Sequence, residues 1–430
     1  MKLPMETVNQ FEKDGLLLRE SGLEQKRGTL LCRRCGTSDA SLFGRHFCAK
    51  CKKVCSYCRH CLTLGKVSEC QSLYHWAGPE PPIHARKQSL VWQGKLSSGQ
   101  KKASDAVIEA VETGESLLVW AVCGAGKTEV LFRGLERAFE KGMRVLLATP
   151  RTDVVKELYP RLHSVFPQIP ISALYGGSKD KHPRAQLVIA TTHQVMRFYR
   201  AFDVVIIDEV DAFPYSVDQS LQYAVEQAKR DDSATIYLSA TPSKPLQKSD
   251  INLIKIPLRY HGFPLPEPTF EWCGNWSKAL KQKKFPPRVL AWIQFQLNQR
   301  KQALLFVPSI STLTTVSTLL TNLAIPHAAV HAKDGHRHET TQTFRDKKLP
   351  LLVTTTILER GVTFPGVQVA ILGSENDVFT EAALVQMAGR VGRSADEPSG
   401  DVIFYHYGVS KAMRDARSHI RMMNKEGESL

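Results

Sequence analysis

Short apolar runs recur along most of the chain at near-regular intervals. Residues 116–120, 144–148, 185–190, 204–207 and 235–238 form one series; residues 303–307, 328–330, 351–354, 369–372 and 402–405 form a second. Such runs, rich in Val, Ile, Leu and Ala, read as strands buried on both faces. Between them lie stretches with helical spacing. In residues 129–140, for example, Leu131, Leu135 and Ala138 fall on one face. Alternation of strand and helix predicts parallel sheets covered by helices. Two series predict two such domains, residues 90–242 and residues 288–430. Residues 243–287, rich in proline and carrying Lys281, Lys283 and Lys284, read as the connector. Ahead of them, residues 1–29 form a short lead and residues 30–76 a cysteine-rich module. A linker over residues 77–89 is punctuated by Gly78-Pro79-Glu80-Pro81-Pro82.

The run at 116–120 leads directly into AVCGAGKT: Ala121, Val122, Cys123, Gly124, Ala125, Gly126, Lys127 and Thr128. Strand, glycine-rich turn, Lys-Thr and helix is the context of a phosphate loop. Gly124 and Gly126 let backbone N–H groups curl around phosphate oxygens, and the helix N-terminus adds positive potential. Lys127 then reaches the β- and γ-phosphates, and the Thr128 hydroxyl ligates Mg²⁺. Ala121 stands where the strict pattern has glycine, and Cys123 reads as a small filler.

Asp208-Glu209-Val210-Asp211 closes the run at 204–207. Carboxylates at the carboxyl end of a buried parallel strand face the ligand crevice of an open α/β sheet. Asp208 is expected to hold Mg²⁺ through water, and Glu209 to orient and activate the attacking water. Ser239-Ala240-Thr241 follows the run at 235–238, where small hydroxyl side chains can hydrogen-bond the acidic group. Far downstream, residues 386–393 read QMAGRVGR. Arg390 and Arg393, three apart on a glycine-interrupted segment after Gln386, suit reaching the γ-phosphate of a nucleotide bound on another domain.

Charge narrows the partners. Lys and Arg total 57 against 42 Asp and Glu, a net +15, which favours an acidic partner, nucleic acid foremost. No apolar stretch approaches the roughly 20 residues needed to span a bilayer. The N-terminal residues lack the apolar core of a signal peptide, so the cytoplasm is the expected location.

Eight of the ten cysteines lie in the first module: Cys32, Cys35, Cys48, Cys51, Cys55, Cys58, Cys61 and Cys70. Pairs with two residues between them read as metal knuckles in a cytosolic protein. The simplest assignment is two tetrahedral four-cysteine zinc sites, Cys32, Cys35, Cys48 and Cys51 in one and Cys55, Cys58, Cys61 and Cys70 in the other. The spacing leaves open an interleaved pairing, a redox role and an iron–sulfur cluster, with His46, His60 and His75 as competing ligands.

Taken in order from about residue 96 to residue 407, these stretches resemble the superfamily 2 helicase motor. The resemblance implies that Gln100, in LSSGQKKA, recognises adenine. It implies that Thr149-Pro150-Arg151, Thr191-Thr192-His193, Val307-Pro308-Ser309 and Thr354-Thr355-Thr356 line a nucleic-acid track. Glu359-Arg360-Gly361 through Gly366-Val367 matches the segment that couples that track to ATP, with Thr363 where the superfamily usually has Asp or Asn. The cysteine block, with Cys55-x-Tyr57-Cys58-Arg59-x-Cys61 and Gly65-Lys66-Val67 after it, is similar to the N-terminal module of the ComFA family, late-competence ATPases of Gram-positive bacteria.

What these resemblances imply is an α/β protein of two RecA-like parallel-sheet motor domains preceded by a small Cys-rich zinc module. Its activity would be a DNA-stimulated ATPase that drives DNA uptake. Its cofactors would be ATP, Mg²⁺ and Zn²⁺. Its partners would be single-stranded DNA and other competence proteins, among them a ComFC-like protein and a membrane DNA channel, which would bring it to the inner face of the membrane. Lys127, Asp208, Glu209, Gln386, Arg390 and Arg393 are the catalytic candidates. Gln100, residues 121–128, Asp208 and Gly361 are the nucleotide-binding ones. Two other readings stay open: a zinc-bearing replication-restart helicase, and a non-motor DNA-binding adaptor. The zinc module is expected to lie outside the motor.

Overall fold

Two parallel sheets organise the chain, as the two series of apolar runs predict. The computed structural model describes residues 4–26, 28–80, 83–178, 185–361 and 363–429; Pro81 and Pro82 of the expected linker lie outside them. The first sheet has the order Ile171–Leu174, Leu187–Thr191, Val145–Thr149, Phe202–Asp208, Lys229–Ser239, Ser116–Ala121, Asn252–Ile256. Its first five strands pair in parallel. Val145–Thr149 and Leu187–Thr191 are buried at every position, as strands covered on both faces must be. The second sheet has the order Thr269–Trp272, Val402–His406, Gln368–Leu372, Ala303–Phe306, Leu351–Thr354, Ala328–Val330, all parallel. Its core joins Ile293, Leu305, Val307, Val316, Val353, Ala370 and Leu372.

The chain forms two compact units. One is Met1–Gly94, Ser104–Leu118 and Leu131–Leu238; the other is Lys95–Ala103, Val119–Val130 and Ser239–Leu430. The boundary therefore falls inside the strand Ser116–Ala121, and the glycine-rich loop belongs to the same unit as QMAGRVGR. Residues 243–287, expected as a bare connector, supply an edge strand to each sheet and the helix Trp276–Lys281. Trp276 packs on the second-sheet core and donates its indole N–H to Glu375 Oε1 at 2.7 Å. Trp272 is 56 % exposed.

The cysteine module consists of short antiparallel pairings. Leu23–Lys26 pairs with Thr29–Cys32, Phe43–Cys48 with Lys53–Cys58, and Leu17–Ser21 with Ser72–Trp76. It does not stand clear of the motor, which corrects the expectation. Cys32, Cys35, Cys58, Cys61 and Val67 share one core cluster with Tyr215, Leu221, Ala224 and Val225 of the first unit. Gly36 (φ +70°) lies flat against Tyr223, where a Cβ would meet Cγ at 2.6 Å, and Tyr223 donates its hydroxyl to Arg33 O at 3.3 Å. So small a module cannot bury a sufficient core alone, and it borrows the apolar face of the helix Gln219–Ala228.

Candidate nucleotide site and metal centres

The strand Ser116–Ala121 ends in a loop that glycine makes possible. Gly124 and Gly126 have φ of +81° and +73°, a region costly for residues with a Cβ, and the helix Lys127–Glu140 begins at once. Gln100 braces the loop from below. Its side chain is buried, its Nε2 donates to Ala125 O at 2.9 Å, and its Oε1 accepts from Ser97 N at 2.8 Å. A Cβ on Gly126 would collide with the Gln100 amide. The loop thus presents backbone N–H groups and the lysine at a helix start, an arrangement suited to phosphate.

QMAGRVGR meets this loop within the same unit. The Cys123 thiol donates to Gln386 Oε1 at 3.1 Å. A Cβ on Gly389 would stand 2.8 Å from Cys123 Sγ, so only glycine allows the approach. Cys123 is therefore a contact residue as well as the filler that the sequence suggests. Arg390 is 1 % exposed and donates from Nε to Glu359 O at 3.0 Å. Arg393 donates from Nε to Gly389 O at 3.0 Å and from Nη1 to Thr363 Oγ1 at 3.2 Å. Thr363 thus engages an arginine at the position where the superfamily usually has a carboxylate or amide. Gly361, with φ +74°, turns the chain just before it.

Asp208 closes the strand Phe202–Asp208 of the first unit. Its Oδ1 accepts the Glu209 N–H at 2.9 Å, and Glu209 has φ +56°. A non-glycine residue in that region carries strain that clusters at functional sites. In the second unit, Ser239 Oγ accepts the Thr241 N–H at 2.9 Å. The hydroxyl of Thr128 and the carboxylate of Asp208 are hard oxygen donors of the kind that Mg²⁺ takes.

The expected track residues divide. Thr149, Thr192 and Thr354 are buried, and Thr354 Oγ1 donates to Val330 O at 3.0 Å. Ser309 caps the helix Ile310–Asn322, accepting from Thr312 N at 3.1 Å. Arg151 and Thr355 are half-buried and His193 is exposed. Sequence reasoning passed over Arg259, which no motif marks. It is 1 % exposed and donates from Nη1 to Gly392 O.

The cysteines gather into two clusters whose sulfurs lie within 4.8 Å of one another: Cys32, Cys35, Cys58 and Cys61, and Cys48, Cys51, Cys55 and Cys70. The pairing is interleaved, which corrects the simplest assignment by order along the chain. The hairpin Phe43–Cys48/Lys53–Cys58 is the cause. It sets Cys48 beside Cys55 at its tip and carries Cys58 back to its base, next to Cys32 and Cys35. His46, His60 and His75 join neither cluster.

Sulfur separations of 3.7 Å for Cys32–Cys61 and for Cys35–Cys58 equal the edge of a tetrahedron with bonds of about 2.3 Å, the Zn–S distance. In the second cluster, Cys48–Cys70 is 3.5 Å and Cys51–Cys55 is 3.1 Å. Four thiols so close cannot all ionise without a cation. Hydrogen bonds with Cys32, and then with Cys58 and Cys61, hold the Cys35 thiol far above its usual range. Cys48 is drawn down to about 6, first by the backbone N–H of Cys51 and then by the Cys70 thiol and the Lys50 N–H. Arg34 Nε donates to Cys61 Sγ at 3.3 Å. Four thiolates with donors aimed at sulfur fit a structural Zn²⁺ site.

Comparison with known proteins agrees along the whole chain. Residues 1–75 match the family model "Competence protein ComFA N-terminal domain". Residues 99–249 match the DEAD/DEAH box helicase model and residues 287–395 the helicase conserved C-terminal domain. Competence protein ComFA of Bacillus subtilis (strain 168) is 49% identical over 424 residues, covering 98% of this chain and 91% of that protein. Competence protein ComFA of Streptococcus pneumoniae (strain ATCC BAA-255 / R6) is 35% identical, covering 98% and 96%. Among solved structures, S. cerevisiae Dbp5 bound to RNA and ADP BeF3 superposes with a TM-score of 0.54 at 15% identity, over 76% of this chain and 92% of that one. That likeness speaks to the fold.

Proposed function

The chain belongs to the ComFA family of competence proteins, and on that premise we propose that it is an ATP-driven translocase that moves single-stranded DNA during uptake by competent cells. The observation that carries this reading is the meeting of the phosphate loop with QMAGRVGR through Cys123 and Gln386. Lys127 and the loop amides hold the phosphates. Glu209 takes the proton of the attacking water, and Arg390 and Arg393 stabilise charge that develops on the γ-phosphate. The Thr128 hydroxyl would offer an oxygen to Mg²⁺, as the Asp208 carboxylate is expected to do through water, and the ion would neutralise phosphate charge. Gln100 supports the loop through its bond to Ala125 O.

DNA contact falls to half-buried and exposed groups such as Arg151, His193 and Thr355, supported by the net charge of +15. Binding is directed mainly at phosphates and weakens steeply with salt. No helix among the described residues is long and apolar enough to cross a membrane. In this reading the DNA passes to a membrane channel and other competence proteins, a ComFC-like protein among them, with this chain docked at the inner face.

ATPase assays with and without single-stranded DNA test the reading. Single-stranded DNA should raise wild-type turnover. Lys127→Ala should lose hydrolysis while keeping DNA affinity, because it touches only nucleotide. Equal turnover with and without DNA, or lost DNA binding in a folded Lys127→Ala protein, would count against it. Arg393→Ala should lower turnover on the order of 10³-fold, as arginine fingers do in related hydrolases, with a smaller loss of ATP affinity. Normal DNA-dependent turnover in that variant would remove Arg393 from the phosphate site.

A further inference from the structure

Arg259 carries a buried charge that no described residue balances. It follows the edge strand Asn252–Ile256 and is 1 % exposed. Nη1 donates to Gly392 O, between Arg390 and Arg393. Nε and Nη2 have no hydrogen-bond partner among the described residues. Burial lowers its pKa to about 10; the Cys123 thiol opposes that shift and the Arg393 guanidinium adds to it. A guanidinium withdrawn from water without a counter-charge is unfavourable, and an anion would restore the balance.

The neighbours say which anion. The Arg259 stem lies 3.7 Å from where a Cβ on Gly124 would stand. The next residue, Tyr260, donates its N–H to Gly124 O at 3.0 Å, which fixes the arginine beside the phosphate loop. His261 Nε2 lies 3.1 Å from Gly392 O and secures the other side. Arg259 is thus anchored between the two glycine segments that face phosphate in the proposed reaction. Its planar fork matches phosphate oxygens in a way that an ammonium does not. We propose that Arg259 is a phosphate-binding residue of the nucleotide site, donating Nε and Nη2 to the polyphosphate of ATP or ADP. The proposal rests on the ATP-site reading above.

Calorimetric titration of Mg·ATP and Mg·ADP into wild type, Arg259→Ala, Arg259→Lys and Lys127→Ala tests it, together with the melting temperature of each protein without nucleotide. Arg259→Ala should bind both nucleotides about tenfold or more weakly, with a flatter dependence of affinity on salt. Without nucleotide it should melt no lower than wild type, since an uncompensated charge has been removed. Arg259→Lys, which keeps charge and stem, should recover part of the affinity.

Wild-type affinity in Arg259→Ala beside a weak Lys127→Ala overturns the proposal and leaves the ATP site standing. Reduced melting with unchanged affinity overturns it too, since Arg259 would then be only a strut to Gly392. Should Arg259→Ala fail to fold, the salt dependence and affinity of Arg259→Lys decide: wild-type values for both overturn the proposal. If wild type binds neither nucleotide, the ATP-site reading itself falls.

Discussion

Glu209→Gln should bind ATP with near wild-type affinity and hydrolyse it about 10²- to 10⁴-fold more slowly, the usual contribution of a positioned general base. Gln keeps the shape of Glu and much of its hydrogen bonding, so the backbone can hold φ +56° and the Glu209 N–H can still reach Asp208 Oδ1 at 2.9 Å. What it loses is the capacity to take a proton from water. The substitution thus separates chemistry from binding, which Lys127→Ala cannot do. Single-turnover hydrolysis of radiolabelled ATP, with affinity measured in parallel, reads both quantities. Turnover within a factor of a few of wild type would take Glu209 out of the catalytic role. Loss of ATP affinity would make it a binding residue instead.

The second large effect concerns the cysteines. Protein purified without chelator should hold about two zinc ions per chain, four ligands to each structural site. Cys58→Ser should lose one and melt lower by about 10 °C or more, because metal binding there supplies folding free energy. Cys58 is fully buried and shares its cluster with Leu221, Ala224 and Val225, so an emptied site would open the core of the first unit. Cys48→Ser should also lose one zinc and shift melting much less. Its partners Cys51 and Cys70 are only half-buried, and none of the four belongs to that cluster. Equal melting losses in the two variants would mean that the sites do not differ in their attachment to the motor. One zinc in wild type, or iron with visible absorbance, would overturn the assignment of two zinc centres.

Much of this molecule is legible in its sequence, for local physical reasons. A strand buried on both faces must be apolar throughout, so Val145–Thr149, Leu187–Thr191 and Ala303–Phe306 stand out in the chain. A loop that curls around phosphate needs left-handed backbone, so Gly124 and Gly126 mark it. Three strands of the two parallel sheets escaped for a related reason. Asn252–Ile256 and Thr269–Trp272 lie at sheet edges with exposed positions among prolines and lysines. Ile171–Leu174, at the other edge of the first sheet, is interrupted by Ser172, a polar residue that the fold buries.

Tertiary structure decided what depends on residues far apart in sequence. Spacing gave eight thiols, but the antiparallel return of Phe43–Cys48 on Lys53–Cys58 chose which four share a cluster. A composition break suggested a free-standing module, yet the flat contact of Gly36 on Tyr223 joins it to the motor. Arg259 carries no sequence signal, because a lone arginine after a strand is ordinary until its burial and its neighbours are known. Periodicity and backbone chirality act on adjacent residues and can be read along the chain. Metal pairing and the environment of a buried charge are set by which distant segments meet.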